Sequence, residues 1–519
     1  MTLDEHQQDA ADLASFGYKQ HLHRSLGSFS AFAAGFSYIS ILTGMFELTG
    51  FGYGFGGPRL FWTWIIVLAG QMAVALCFAE LSARFPIAGS VYQWSKQLSR
   101  SWVSWTTGWT MLIGSIVTVA AVAVAWQIVL PPIWSGFEVF TNTTTNAVFL
   151  GCCLLVATTI INAAGVRVLS RVNNVGVAAE LTGAVVLIVL LLLHAHRGPG
   201  VVLRSEGTGP GLPGYSFLGY GAGFLIAVIM PAYVMYGFDT AGSLAEETRD
   251  PRRRAPREII RSLAVAGVAG MLLLLFAIMA SPTLSPSKFS AGGLPLVVTS
   301  ELGNTLGKVL LADVAIAISV CTLAIQTASI RMMFTMARDN GLPFGAALAR
   351  VSKKAHSPVL PAIVTGGLAA LALFVSLGEP KIFTAITSVS VVLIYIAYLL
   401  VTGPLLARRR EDWLARHGGE GLFTLRRFGG AINAFAVVYG AAMIVDLIWP
   451  RAAIYGAGAL AWTGLIFVVA VLAVGLAYYA TVLRGRTDVL AEHRADPEPP
   501  APAPDLRSLR PGAPEEPVG

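Results

Sequence analysis

Glu180 is the first chemical oddity in this sequence, a carboxyl group inside the long apolar run RVNNVGVAAELTGAVVLIVLLL, about two helical turns beyond Asn174. If that run crosses a bilayer, an ionisable side chain within it is costly, so it is expected to face the bundle interior and serve a proton or ion pathway. A purely structural hydrogen bond is the competing expectation. Two other apolar runs are interrupted. One reads FAAGFSYISILTGMFELTGFGYGFGGP, with Gly35 and Gly44 inside it; the other reads GFLIAVIMPAYVMYGFDTAGSLAEE, with Pro231, Gly237 and Gly242 inside it. Glycine and proline at mid-membrane loosen the helical ladder and free backbone groups, which must then be buried in protein or face a watery cavity. Close helix packing through small residues is the alternative for either run alone. The matched pair favours discontinuous helices that hold a polar guest between them.

Other acids sit near the ends of apolar runs. Glu80 is expected to anchor the end of the second run, and Glu246 with Glu247 to pair with the basic stretch Arg249–Arg257 as a cytoplasmic gate or a solvated charged face. Asp313 and Asp446 lie close to run ends. None of the eight histidines falls at the centre of a run, so no histidine relay is expected. The four cysteines lie within apolar runs without metal-ligand spacing and read as packing residues, and no metal or cofactor is expected. No phosphate-binding glycine loop is present, which points away from ATP, and no HExxH, CxxC or GxSxG arrangement lies in the runs.

The elements that must position these residues follow from composition. The chain has 519 residues, 55% hydrophobic and only 13% charged, with mean hydropathy +0.67. A soluble protein carries about a quarter charged residues, and soluble cores stop growing at roughly 250–300 residues. The composition therefore calls for a lipid bilayer as partner. Its net charge of +7 comes from short clusters between apolar runs, which excludes a basic nucleic-acid module.

A crossing needs about 20 residues, and such runs occur near 28–52, 60–84, 101–127, 146–165, 174–194, 219–244, 258–280, 308–336, 359–377, 381–403, 429–449 and 456–483. They lack the alternation of barrel strands, so the fold class is an all-α integral membrane protein of twelve transmembrane helices. On that count, 29 of the 36 lysines and arginines fall on one set of alternate segments, and both termini are expected in the cytoplasm. Residues 1–25 form a polar arm, 26–484 the membrane domain, and 485–519 a Pro-, Ala- and charge-rich tail expected to be disordered. The first run is too long for a signal-peptide core.

Three motifs carry a resemblance. FAELSARFPIAGSVYQWSK joins an acidic residue and leucine to a turn from Pro86 to Gly89; GFDTAGSLAEETRDP joins a Gly–aromatic–acid run to paired glutamates; SIRMMFTMARDNGLP ends on Arg–Asp–x–x–Leu–Pro. The chain resembles the amino acid–polyamine–organocation permease superfamily over most of residues 20–480, and in its GGP exit the branch of γ-aminobutyrate, amino acid and choline permeases. The resemblance implies a 5+5 inverted repeat (about 28–194 and 219–403) with discontinuous helices 1 and 6, plus two extra helices (about 429–483). It places substrate at Leu42-Thr43-Gly44 and Met45, where a half-helix N-terminus attracts an anion. It also places substrate at Tyr236-Gly237-Phe238-Asp239, whose carbonyls and rings suit an ammonium. Asp239 would either stabilise a substrate cation or cap the broken helix, the latter preferred. Several relatives without sodium dependence carry a lysine where Glu180 stands, which implies proton coupling. The expected function is a secondary permease or symporter of the cell membrane for an amino acid or related amine such as γ-aminobutyrate. A choline or polyamine permease or an amino acid exchanger is the alternative. A solute sensor without transport comes next, and a membrane enzyme last.

Overall fold

The computed structural model describes residues 27–206, 220–352, 357–375, 377, 380–409, 413–416 and 421–486. The N-terminal arm and almost all of the tail expected to be disordered lie outside those residues. Among the described residues the chain is helical and has no strand. Among the described residues, nine helical stretches are long and apolar enough to cross a membrane, accompanied by two shorter apolar helices, Gly223–Val234 and Val359–Val375.

In chain order the principal helices are α1 (Ser28–Ile39), α2 (Ile41–Gly56), α3 (Leu60–Arg84), α4 (Ser90–Leu98), α5 (Ser101–Ala123), α6 (Trp126–Ile133), α7 (Thr143–Ala164) and α8 (Val166–Leu193). Then come α9 (Tyr220–Ala227), α10 (Ile229–Val234), α11 (Thr240–Ser243), α12 (Pro251–Ala280), α13 (Pro286–Arg338), α14 (Val359–Val375), α15 (Pro380–Arg409), α16 (Gly429–Ile448) and α17 (Thr463–Tyr478). Each apolar run of the sequence overlaps one or more of these.

Two boundaries differ from the sequence reading. The run expected to begin near 174 begins at Val166, because Gly165 (φ 110°) ends α7 and the next helix starts at once. The connection between 281 and 307 is helical rather than a loop: α13 begins at Pro286 and is turned at Gly293 (φ 55°) and Gly303 (φ 75°). Too short to cross on its own, that piece gives no apolar signal of membrane length.

The bundle is inside-out relative to a soluble protein. Val156, Ile160, Val175, Leu193, Val438 and Ile466 are exposed, while Ser37, Ser40, Thr43, Gln71, Asp239 and Glu180 are buried. Lipid solvates the first set, and helix–helix contact must satisfy the second. The contacts that position the site run from α2 to α13, α5 to α15, α12 to α3 and α8 to α13.

Candidate functional site

The first interrupted run breaks at one residue. Ser40 adopts φ 34° and ψ 96° between α1 and α2, two to four residues before the positions the resemblance marked. Thr43, Gly44 and Met45 therefore lie in the first turns of α2, and the Gly44 amide is engaged, donating to the Ser40 carbonyl at 3.1 Å. The first amides of a helix have no partner within it, and here a carboxylate from another helix meets them. Glu180 of α8 accepts from the Leu42 amide at 3.3 Å and from the Ser40 hydroxyl at 2.8 Å. The half-helix N-terminus is met by a carboxyl group of the protein's own. Ser40 and Thr43 hydroxyls lie 2.6 Å apart, and Glu180 Oε2 has no hydrogen-bond partner among the described residues.

The second interrupted run breaks over Met235–Asp239, between α10 and α11, at the positions marked from sequence. Gly237 has φ 87°, and a Cβ there would sit 1.9 Å from Cδ1 of Tyr38, so both conformation and space require glycine. Its amide donates to the Tyr398 hydroxyl at 2.9 Å, which donates in turn to Asp239 at 2.5 Å. The other Asp239 oxygen accepts from Ser90 at 2.8 Å. Asp239 thus ties the broken run to α15 and α4.

Between the breaks lies a small cavity, about 240 Å³ of space between atoms, walled by Tyr38, Thr43, Gly44, Thr118, Tyr236 and Cys321 among others. Leu42, Met45, Gly237, Phe238 and Asp239, named with the substrate positions, are not among its walls. Met45 and Asp239 are buried elsewhere, Phe238 packs against Phe78 and Tyr398 at ring distances of 6.0 and 5.5 Å, and Gly237 turns the backbone beside Tyr236. Gly44 has its own reason to be small, since a Cβ would meet Val234 at 2.4 Å. Sequence reasoning passed over Tyr38, Thr118, Tyr233 and Cys321. Tyr38 packs edge-on to Tyr236 at 5.9 Å, and the Tyr236 hydroxyl meets that of Thr118 at 2.9 Å. Tyr38 lies two residues before Ser40, a spacing that could have flagged it. The others lie on faces that only the packing defines.

Comparison with known proteins decides the family. The amino acid permease family profile matches residues 26–482. This chain belongs to that family. An amino-acid permease BAT1 homolog of Oryza sativa is 29% identical over 458 residues, covering 84% of this chain and 86% of the relative. The amino-acid permease BAT1 of Arabidopsis thaliana is 27% identical over 453 residues, covering 82% and 86%. The branched-chain amino acid permease BcaP of Bacillus subtilis is 26% identical over 373 residues, covering 69% and 76%. The protein is a multi-pass membrane transporter, not an enzyme.

At one end of the permease bundle a buried ion-pair cluster replaces the pairing expected from sequence. Glu247 meets Arg331 at 2.8 Å and Glu246 meets Arg338 at 3.4 Å, not the basic stretch Arg249–Arg257. The run after α11 ends against the end of α13, whereas Arg249, Arg253 and Arg257 are exposed. Glu246 also accepts from the Ala88 amide at 3.2 Å, in the turn from Pro86 to Gly89. Lys96 of α4 pairs with Asp339 at 2.7 Å. Glu80 anchors the end of α3 by pairing with Arg409 and accepting from Thr424 and the Leu425 amide, both at 3.0 Å.

Proposed function

We propose that this chain is a proton-coupled secondary permease, a symporter, that carries amino acids or related amines such as γ-aminobutyrate across the cell membrane by alternating access. One observation carries the reading: in a chain of the amino acid permease family, two backbone breaks, at Ser40 and at Met235–Asp239, flank one cavity walled by hydroxyl and aromatic side chains. Discontinuous helices of this kind are how many secondary transporters hold a solute at the midplane. The twelve-span count, the 5+5 inverted repeat and the cytoplasmic placement of both termini belong to the same reading. The overlap of every apolar run with a helix supports the count, and the bias of lysine and arginine supports the orientation.

Glu180 is the proton-coupling residue in this reading. It is buried, ionisable, and bound to the break itself through Ser40 and Leu42, so its charge state bears on the backbone that borders the cavity. The cluster of Glu246, Glu247, Arg331 and Arg338, with Glu80 behind it, serves as the cytoplasmic gate.

A second reading has its own support. No lysine, arginine or histidine walls the cavity, and the anion-attracting end of α2 is already taken by Glu180. A guest held by an ammonium, such as choline or a polyamine, fits those walls through cation–π contact with Tyr38, Tyr233 and Tyr236. The test is uptake into proteoliposomes of labelled amino acids, γ-aminobutyrate, polyamines and choline, with imposed proton or sodium gradients. Proton-driven amino acid uptake is the expected result. Transport only with sodium would contradict the coupling, and binding without flux would make the chain a sensor.

A further inference from the structure

A line of polar side chains joins α1 to α8 along one seam, away from the cavity. Ser30 meets Ser170 at 3.5 Å and accepts from Asn174 at 3.0 Å; Ser37 donates to Asn173 at 2.9 Å; Ser40 donates to Glu180 at 2.8 Å. The spacing is helical on both sides. Ser30 and Ser37 lie seven apart on α1, with Ser40 just past its end, and Asn173 and Glu180 lie seven apart on α8, so each pair shares one face. The lower part of the seam opens into a second cavity, about 420 Å³ of space between atoms, walled by Ser30, Ser170, Asn173, Asn174, Thr240 and Glu247 among others. That cavity lies beside the ion-pair end of the bundle.

Beyond Glu180 the seam continues to a third helix. Asp313 of α13 rests against Gly183, one turn further along α8; a Cβ at Gly183 would sit 1.7 Å from Asp313 Oδ2. Glycine there is what lets a second carboxyl group pack on α8 one turn beyond the first. Glu180 Oε2 and Asp313 Oδ2 are both buried atoms without a hydrogen-bond partner among the described residues. Asp313 as a whole is half-buried, at the edge of the α8–α13 contact. From Ser170 to Gly183 the helix rises about 20 Å at 1.5 Å per residue, roughly two-thirds of the hydrocarbon core. The groups that face Glu180 are Asp313 and the Cys321 thiol from α13, and Ser40, Ile41 and Leu42 from the break; no cation bears on it among the described residues.

We propose that Asp313 and Glu180 form a two-carboxylate proton relay along the α1–α8–α13 seam, separate from the solute cavity and joined to it only through Ser40 and Thr43. This rests on the reading of Glu180 as the coupling residue. A hydronium ion on the side away from the ion-pair cluster gives its proton to the Asp313 carboxylate and leaves as water. The Asp313 O–H then breaks to a water between the two carboxyls, which in turn gives up a proton as an O–H forms on Glu180 Oε2, and Glu180 later gives that proton to water in the second cavity. The serines and asparagines carry no charge; they hold the water that takes the proton away. Protonation weakens Glu180 Oε1 as an acceptor, so the Ser40 hydroxyl can turn its proton from Glu180 to Thr43, a wall of the solute cavity that it already touches at 2.6 Å. Proton arrival and solute binding thereby share one hydroxyl.

The experiment reconstitutes the full chain in liposomes loaded with a pH-sensitive dye and adds a mixture of the twenty amino acids and γ-aminobutyrate. Wild-type protein should admit protons with the solutes under an inward proton gradient. D313N should slow that proton-driven uptake about a hundredfold, as loss of a proton-transfer group does. Its solute counterflow at equal pH should stay near wild type, and D313E should restore coupling. G183A, which keeps both carboxylates but forces them apart, should reproduce the D313N loss. Undiminished proton influx in D313N and G183A would overturn the relay while leaving coupling at Glu180 standing. No solute-dependent proton influx in the wild type would remove the coupling reading and the relay together.

Discussion

The two breaks solve one problem in different ways. The break at Ser40 is a single residue, and the amides it leaves are met by an ionisable group from a distant helix, Glu180. The break at Met235–Asp239 spans five residues and is stitched by the Tyr398 hydroxyl and by its own Asp239, held in turn by Ser90. Interrupted backbone needs partners in either case. The difference lies in what those partners can do. Glu180 has an oxygen to spare, whereas both oxygens of Asp239 are engaged. In the proposed reading the first break responds to protonation, and the second holds its shape.

Substitutions can separate the two. The largest effect is expected from G237A, which puts a side chain into the Tyr38 ring at a left-handed φ. The strain and displacement should cut uptake about a hundredfold, since misplacing a site by an ångström costs that much; initial rates in proteoliposomes measure it. E180Q should come next, abolishing stimulation of uptake by an inward proton gradient while solute counterflow at equal pH persists. If E180Q keeps its response to pH, the first break is no switch. Y398F removes one hydroxyl that serves both Gly237 and Asp239, a loss of about 2 kcal/mol for hydrogen bonds of which one reaches a charged group. It should lower the melting temperature of the purified protein and slow uptake without changing its pH profile. The smallest effect belongs to S37A, which deletes one seam hydrogen bond worth about 1 kcal/mol and should shift thermal stability slightly.

Much of the fold was readable because a bilayer simplifies the problem. Runs such as 101–127 and 429–449 have one stable solution in lipid, and glycine and proline within a run mark where the ladder can open. The break at Gly237 was legible for that reason. The break at Ser40 was read a few residues late, because the flexible residue, Gly44, turned out to admit Val234 rather than to unwind the chain. The pairing of Glu246 and Glu247 was misread because Arg249–Arg257 is near in sequence, while Arg331 and Arg338 come close only once α13 packs. The walls of the cavity, Tyr38, Thr118 and Cys321, come from α1, α5 and α13. No local pattern distinguishes a hydroxyl that faces a cavity from one that bonds its own helix, as Thr118 also does to Gly114. Glu47 is a different case, legible but passed over: it is a carboxyl group inside an apolar run, as Glu180 is, and it stands one turn beyond Gly44, 3.4 Å from the Tyr233 hydroxyl.

Cys321 offers the most direct test of a shared cavity between the breaks, because it is the one cysteine among the four that walls it. With Cys77, Cys152 and Cys153 changed to serine, a water-soluble thiol reagent should modify Cys321 as the permease cycles and block uptake, and transported amino acids should slow that modification. Modification at the same rate with and without solute, in a variant that still transports, would contradict the placement of the solute between Ser40 and Gly237.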